Sequence, residues 1–170
     1  MGGMTGASDF HIRLAAPTDA EDLWRLAHAD GVREHAFDAS PIPLASHLKW
    51  FGEKIASNAS RIWVLELAGQ LTAQVRYDRE DSNTAIVDFA VDPTHRGRGI
   101  GTEMLRLTWP MACRELAVLR IRALVISTNA ASSQAFLKAG FRECESVTER
   151  DRACRVFETT CDFVEITRAK

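Results

Sequence analysis

His95-Arg96-Gly97-Arg98-Gly99-Ile100-Gly101, HRGRGIG, places three glycines and two arginines in seven positions, after the apolar run 85–91 and the pair Asp92-Pro93. Backbone N–H groups in a glycine-rich turn can converge on an anion, and a helix beginning there adds the positive end of its dipole. Phosphate is the natural guest. A P-loop is excluded because no Lys-Ser or Lys-Thr pair follows these glycines, and the dinucleotide fingerprint G-x-G-x-x-G would need glycine at Thr102 or Met104. A third spacing, [Q/R]-x-x-G-x-[G/A], is met by Arg96, Gly99 and Gly101.

Working outward, residues 10–14 alternate as a strand. Pro17-Thr18-Asp19 then opens a helix with the apolar stripe Leu23, Leu26, Ala27, and Asp19, Glu21 and Asp22 complement its positive end. After Ser40-Pro41-Ile42-Pro43, a second helix is predicted to turn Leu44, Leu48, Phe51 and Ile55 to the core. Residues 61–67 and 70–77 read as strands joined by a tight hairpin at Ala68-Gly69, and a loop over 78–83 leads to the strand 85–91. Behind the glycine turn, Gly101, Met104, Leu105, Thr108 and Ala112 mark one helical face, with Pro110 expected to kink it. A buried strand over 121–126, a helix over 130–138 stopped by Gly140, and a closing antiparallel pair over 141–147 and 155–166 complete the order βααβββαβαββ. The fold class is mixed α/β of the α+β type, with a largely antiparallel sheet.

Strand, Val91-Asp92-Pro93, glycine turn, helix, strand, Asn129 and Gly140-Phe141 in this order resemble the GCN5-related N-acetyltransferase (GNAT) superfamily. The flanking D-F-A-V-D-P (88–93) and N-x-x-S…F-x-K-A-G-F (129–141) carry the likeness, which is densest over 84–142 and extends more loosely over 10–165. The resemblance implies a sheet splayed at the cofactor strands and acetyl-coenzyme A as cosubstrate. Its pyrophosphate would rest on the amides of Arg98, Gly99, Ile100, Gly101 and Thr102 within the turn that includes Gly97, with Arg96 and Arg98 adding charge. The pantetheine arm would pair with the backbone at Phe89, Ala90 and Val91, and the Val91 N–H would polarise the thioester carbonyl as an oxyanion donor. Asn129 and Ser132 would border the coenzyme, Asn129 being equally suited to cap a helix. Phe136 stands where many relatives place the tyrosine that protonates the departing thiolate, so water, Ser132 or Ser133 must take that role.

Acetyl transfer requires a neutral amine, and a base or water chain must accept its proton. Asp88 is the candidate base: a carboxylate in an apolar strand, where burial would raise its pKa. The alternative is a solvent-facing strand residue. Glu34, His35 and His47 are further candidates in the early region. The segment 32–51, with Arg33, His47 and Trp50-Phe51, resembles the acceptor segment of acetyltransferases acting on amino-sugar nucleotides, such as those of pseudaminic acid pathways. Arg33 would grip a diphosphate and Trp50 would stack, with Arg76 pointing into the same cleft; boundary packing is the alternative for His47 and Trp50.

The chain has 170 residues, 46% hydrophobic and 26% charged, with a formal net charge of -2. That length fits one domain over 9–167 behind a disordered leader over 1–8, and that charge provides no basic field for nucleic acid. Cys113, Cys144, Cys154 and Cys161 lack metal-ligand spacing, so they are expected to be reduced packing residues and no metal is expected. No apolar run is long enough for a membrane span or a signal peptide, which points to a cytoplasmic protein. Exposed edges in the closing strand pair permit a homodimer. The function read from these features is an N-acetyltransferase acting by direct attack in a ternary complex on the primary amine of a small molecule. A peptide acceptor and a non-catalytic acyl-coenzyme A sensor are the alternatives.

Overall fold

The computed structural model describes residues 10–161. The leader and positions 162–166 of the expected last strand lie outside them. A seven-stranded sheet runs β1-β2-β3-β4-β5-β7-β6, built from β1 (Phe10–Leu14), β2 (Ser60–Leu67), β3 (Gln70–Arg79), β4 (Thr84–Val91), β5 (Arg120–Ile126), β6 (Arg142–Glu149) and β7 (Arg152–Thr160). All neighbours are antiparallel except β4 and β5. The helices are α1 (Ala20–Ala27), α2 (Leu44–Ala56), α3 (Ile100–Leu116) and α4 (Ala130–Lys138), in the predicted order. No helix among the described residues is long and apolar enough to cross a membrane.

Alternation along the strands divides the core in two. Ala73, Val75, Tyr77, Ala85 and Val87 pack with Met104, Leu105, Ala112 and Leu116 of α3, and Phe136 of α4 joins them. On the opposite face Ile62 and Val64 pack with Leu23, Leu26 and Phe51 of α1 and α2. Pro110 does not end α3. A proline inside a helix costs about 3 kcal/mol, whereas fully burying Met104, Leu105 and Leu116 contributes roughly 1.5–3 kcal/mol each. Burial on both sides of Pro110 therefore carries the helix through.

The α2 stripe is rotated from the predicted one. Leu48 is 41% exposed, while His47 and Phe51 are buried and Trp50 and Ile55 pack partly against the core. The cause is a tertiary contact: His47 Nε2 lies 2.9 Å from the carbonyl of Ala20 at the start of α1, and its ring stacks on Phe51. At the other end of that entry, the Arg13 guanidinium meets both carboxylate oxygens of Asp19 at 2.7 and 2.8 Å and pins β1 to the start of α1.

The expectation that all four cysteines are reduced is overturned at one pair, since Cys113 and Cys161 form a disulfide. Both flank the turn after α3: the Val118 N–H donates to the Cys113 carbonyl, and the Cys161 N–H donates to the Leu119 carbonyl. Two thiols 48 positions apart are thereby seated side by side. Cys144 and Cys154 are free.

Tyr77, the chain's single tyrosine, is fully buried with its hydroxyl 2.8 Å from Thr108 Oγ1, and burial pushes its pKa up. It cannot reach a substrate. Tyr77→Phe should cost about 1 kcal/mol of stability, because Thr108 keeps its own bond to the Met104 carbonyl. Catalytic constants should stay at wild-type values; a large fall in turnover with unchanged stability would return Tyr77 to the chemistry.

Candidate active site

The parallel pairing of β4 with β5 covers only Thr84↔Arg120, Ala85↔Ile121 and Ile86↔Arg122; beyond Ile86 the two strands part. What the open edge offers follows from hydrogen-bond alternation. The Asp92 N–H donates to the Thr72 carbonyl of β3 at 2.8 Å, one step beyond the Ala73↔Val91 pair. Opposed residues in an antiparallel ladder alternate between bonded and non-bonded pairs, so the N–H and C=O groups of Phe89 and Val91 turn away from β3 into the gap. Ala90 pairs with β3 instead, so of the three residues named from sequence only Phe89 and Val91 present backbone groups to the gap.

At the end of β4 the chain passes a 3-10 turn, Pro93–His95, and reaches the glycine turn. Gly97 and Gly99 have φ of 75° and 77°, a left-handed conformation costly for residues with Cβ. Gly99 is the N-cap of α3, and the first bond onto it comes from the Glu103 N–H. The N–H groups of Arg98, Gly99, Ile100, Gly101 and Thr102 make no hydrogen bond among the described residues. Gly101 has a different reason: a Cβ there would lie 2.7 Å from the Phe89 ring, so its absence lets α3 close onto β4. Five unengaged amides at a helix start beside an unpaired strand edge fit a diphosphate joined to an amide-bearing arm.

The face of β4 turned away from α3 carries Asp88. Its side chain is 62% exposed, so the burial expected to tune it is absent. Asp88 lies opposite Arg76 in the β3–β4 register, with Arg76 Nη2 at 3.8 Å. The Arg76 guanidinium also lies over the Trp50 ring at 5.1 Å and bonds Asp78 at 2.7 Å, and Asp78 is bonded in turn by Lys54. Three residues assigned separately from sequence, Trp50, Arg76 and Asp88, are thus brought together, with charges alternating from Lys54 to Asp88. Lys54 and Asp78 were missed; their positions opposite one another depend on how α2 lies across β3.

Other assigned residues serve the protein itself. Arg33 Nη2 donates to the carbonyls of Asp38 and Ser40, so this end of the guanidinium closes its own loop. His47 is buried beneath Trp50, and burial lowers its pKa, so it stays neutral and is neither an exposed base nor a substrate contact. Because its folded pKa lies below the ordinary 6.5, its contribution to stability is complete above about pH 6.5 and is lost as pH falls through the folded value. Urea midpoints should therefore decline below pH 6.5, and His47→Phe should flatten that limb; an unchanged limb would assign it to other groups. Arg96 reaches away from the turn, its Nη2 2.9 Å from the Asp30 carbonyl and its Nε 3.3 Å from the Val91 carbonyl.

Residues 9–142 match the model of the acetyltransferase (GNAT) domain family. The chain belongs to the GNAT acetyltransferases. Acetyl-coenzyme A-dependent N-acetylation is the chemistry of that family. Over 60 residues the chain is 40% identical to YjcK of Bacillus subtilis (strain 168), described as a probable N-acetyltransferase; the match spans 35% of this chain and 33% of that protein. The fold is similar to spermidine N-acetyltransferase from Vibrio cholerae in complex with CoA and spermine, with TM-score 0.79 and 18% identity over 90% of this chain and 96% of the other. It is also similar to the aminoglycoside acetyltransferase AAC(6')-Ib in complex with parmomycin and acetyl-CoA, with TM-score 0.75 and 16% identity over 95% and 97% of the two chains.

Within this GNAT domain Asn129 caps α4, its Oδ1 accepting from the Ser132 N–H at 3.1 Å, and its side-chain Nδ2 makes no hydrogen bond among the described residues. Ser132 is half-buried beside it. Phe136, expected at the cofactor, is instead a core residue at 2% exposure, packed edge-on against Phe89 and Phe141 and stacked on Phe157. Lacking a hydroxyl, it packs fully where a tyrosine would have to satisfy an O–H group. No group of three or more metal-ligating side chains occurs among the described residues.

Proposed function

We propose that this GNAT protein acetylates a primary amine of a small cationic molecule by direct attack in a ternary complex. The observation that carries the reading is β4 itself: it turns the Phe89 and Val91 N–H groups into the gap and carries the exposed carboxylate of Asp88 beside it. Acetyl-coenzyme A supplies the activated thioester. The free amides of Arg98 to Thr102 hold its diphosphate, the open edge of β4 holds its arm, and Asn129 and Ser132 border it. The Val91 N–H, or that of Phe89 with the same orientation, stabilises negative charge developing on the thioester oxygen.

Asp88 attracts the ammonium of the acceptor and passes its proton to water, leaving the lone pair that attacks. A thiol of ordinary pKa near 8.5 leaves without a tyrosine acid, with water as proton source. Arg33 Nη2 is engaged by loop carbonyls, and Arg76 is held by Asp78 and lies over Trp50, which argues against either as a dedicated grip for a nucleotide diphosphate. The exposed carboxylate favours a polyamine or aminoglycoside class of acceptor, in keeping with the ligands of the structurally similar enzymes.

The test is an acceptor panel of polyamines, aminoglycosides, amino-sugar nucleotides, amino acids and peptides, read by release of free thiol. Turnover is expected with the polycationic small amines. Turnover confined to nucleotides or peptides would overturn the acceptor class, and coenzyme binding with no turnover on any amine would establish a sensor instead.

A further inference from the structure

Two carboxylates compete for one guanidinium on the face of β3 and β4 turned away from α3. Arg76 lies directly opposite Asp88 in the β3–β4 register, and Asp78, two positions along β3, shares its face. Residues opposed across antiparallel strands have Cβ atoms about 4.5–5.5 Å apart, so Arg76 with Asp88 is the ion pair this register would make by itself. That pair is not closed. Arg76 Nε donates to Asp78 Oδ2 at 2.7 Å, whereas its Nη2 stops 3.8 Å from Asp88 Oδ2, beyond hydrogen-bond reach.

The pull towards Asp78 is built by the packing of α2 on β3. Lys54 donates to the other Asp78 oxygen, Oδ1, at 2.7 Å, which leaves Oδ2 turned to Arg76. Burial works against a charge on Asp78, but the Lys54 bond and the Arg76 charge outweigh it and hold the carboxyl below the usual range. The Trp50 ring, 5.1 Å from the Arg76 guanidinium carbon, covers its flat face. Of the two carboxylates, Asp88 is the open one, at 62% side-chain exposure against 27% for Asp78.

We infer that Asp78 is a positioning residue: it draws the Arg76 guanidinium away from Asp88 and so keeps the Asp88 carboxylate open to a cationic amine. This rests on the role proposed above for Asp88. A guanidinium that closes on a carboxylate does so with two parallel bonds, and both must break before an ammonium can take its place. Asp78 therefore sets the affinity for the acceptor without touching it.

The test is Asp78→Asn. Its carbonyl oxygen still accepts from Lys54, which leaves the amide NH2 facing Arg76 Nε, donor against donor, and releases the guanidinium. In crystal structures of the two proteins the separation of Arg76 and Asp88 should fall to about 2.8 Å in the variant. With spermidine and kanamycin as amine probes and thiol release as readout, kcat/KM for the acceptor should fall about tenfold, mostly as a rise in KM, because the amine must displace Arg76. Adding Arg76→Gln to Asp78→Asn should bring kcat/KM back to within about threefold of wild type, since the two side chains act as one unit. A merely structural role for Asp78 predicts a double variant no better than the single one. Wild-type kcat/KM in Asp78→Asn, an Arg76 that stays out of bonding reach of Asp88 there, or a double variant as weak as the single one overturns the positioning role alone, provided Asp88→Asn loses activity. Unchanged kcat/KM in Asp88→Asn, or no turnover of either probe, overturns the proposed acceptor site and the positioning role together.

Discussion

Gly99→Asp is expected to reduce coenzyme A affinity by three orders of magnitude or more. Gly99 is the N-cap of α3 at φ 77°, ψ 4°, and nothing lies within 4 Å of a Cβ built on it, so the space beside it is open to a ligand. A residue with Cβ in this conformation costs roughly 1–2 kcal/mol, and Asp and Asn are among the least penalised there. The larger effect is charge. A carboxylate about 4 Å from a phosphate oxygen is opposed by about 4 kcal/mol at an effective dielectric near 20, close to three powers of ten in a binding constant.

Gly99→Asn separates the two contributions, having almost the same shape and the same backbone tolerance without the charge. It should lose about tenfold, and the gap between Asn and Asp reports the anion. Isothermal titration of both variants with coenzyme A makes the comparison. Equal affinities for the two would mean that the diphosphate does not rest on this turn.

The second large effect is expected at Asp88. Asp88→Asn keeps size and hydrogen bonding but removes the charge that draws an ammonium and accepts its proton, directly or through water. Loss of a general base typically costs 10²–10⁴-fold. Because Asp88 is open to water, which can relay a proton in its place, the lower end is expected: about 10²-fold in kcat/KM for the acceptor, or about 2.7 kcal/mol of transition-state stabilisation. Coenzyme affinity should change less than twofold. The acceptor KM should rise alongside the fall in kcat, since the same carboxylate holds the amine. Unchanged kcat/KM would remove Asp88 from the reaction and leave the proton to water alone.

Arg76 sharpens that experiment. It lies across the register from Asp88 and is held by Asp78 and Trp50. Its guanidinium comes no closer than 3.8 Å to Asp88 and leaves most of the carboxylate exposed. A cationic acceptor therefore meets a charge that is neighboured but not neutralised, where a closely paired carboxylate would first have to be released.

The glycine turn was legible because its requirements are local. Glycine at 97 and 99 answers a left-handed backbone, glycine at 101 answers a helix pressed on a strand, and both demands are written within seven consecutive residues. Strand and helix order was legible for a related reason, since periods of two and 3.6 residues appear in any short window.

The side-chain cluster around Asp88 was not local. His47 is buried because α2 rolls onto the carbonyl of Ala20, and the α2 stripe turns with it. Asp88 is exposed, although its strand neighbours are apolar, because alternation turns it to the face opposite α3. Arg96 and Phe136 carry the same residue types whether they bind a ligand or hold the protein together, and only their distant partners decide between these uses. The chain by itself determined the backbone conformations that make a glycine turn of unengaged amides. The tertiary structure decided which charged side chains remain free, because each charge is claimed by whichever partner the packing of remote segments brings within hydrogen-bond reach.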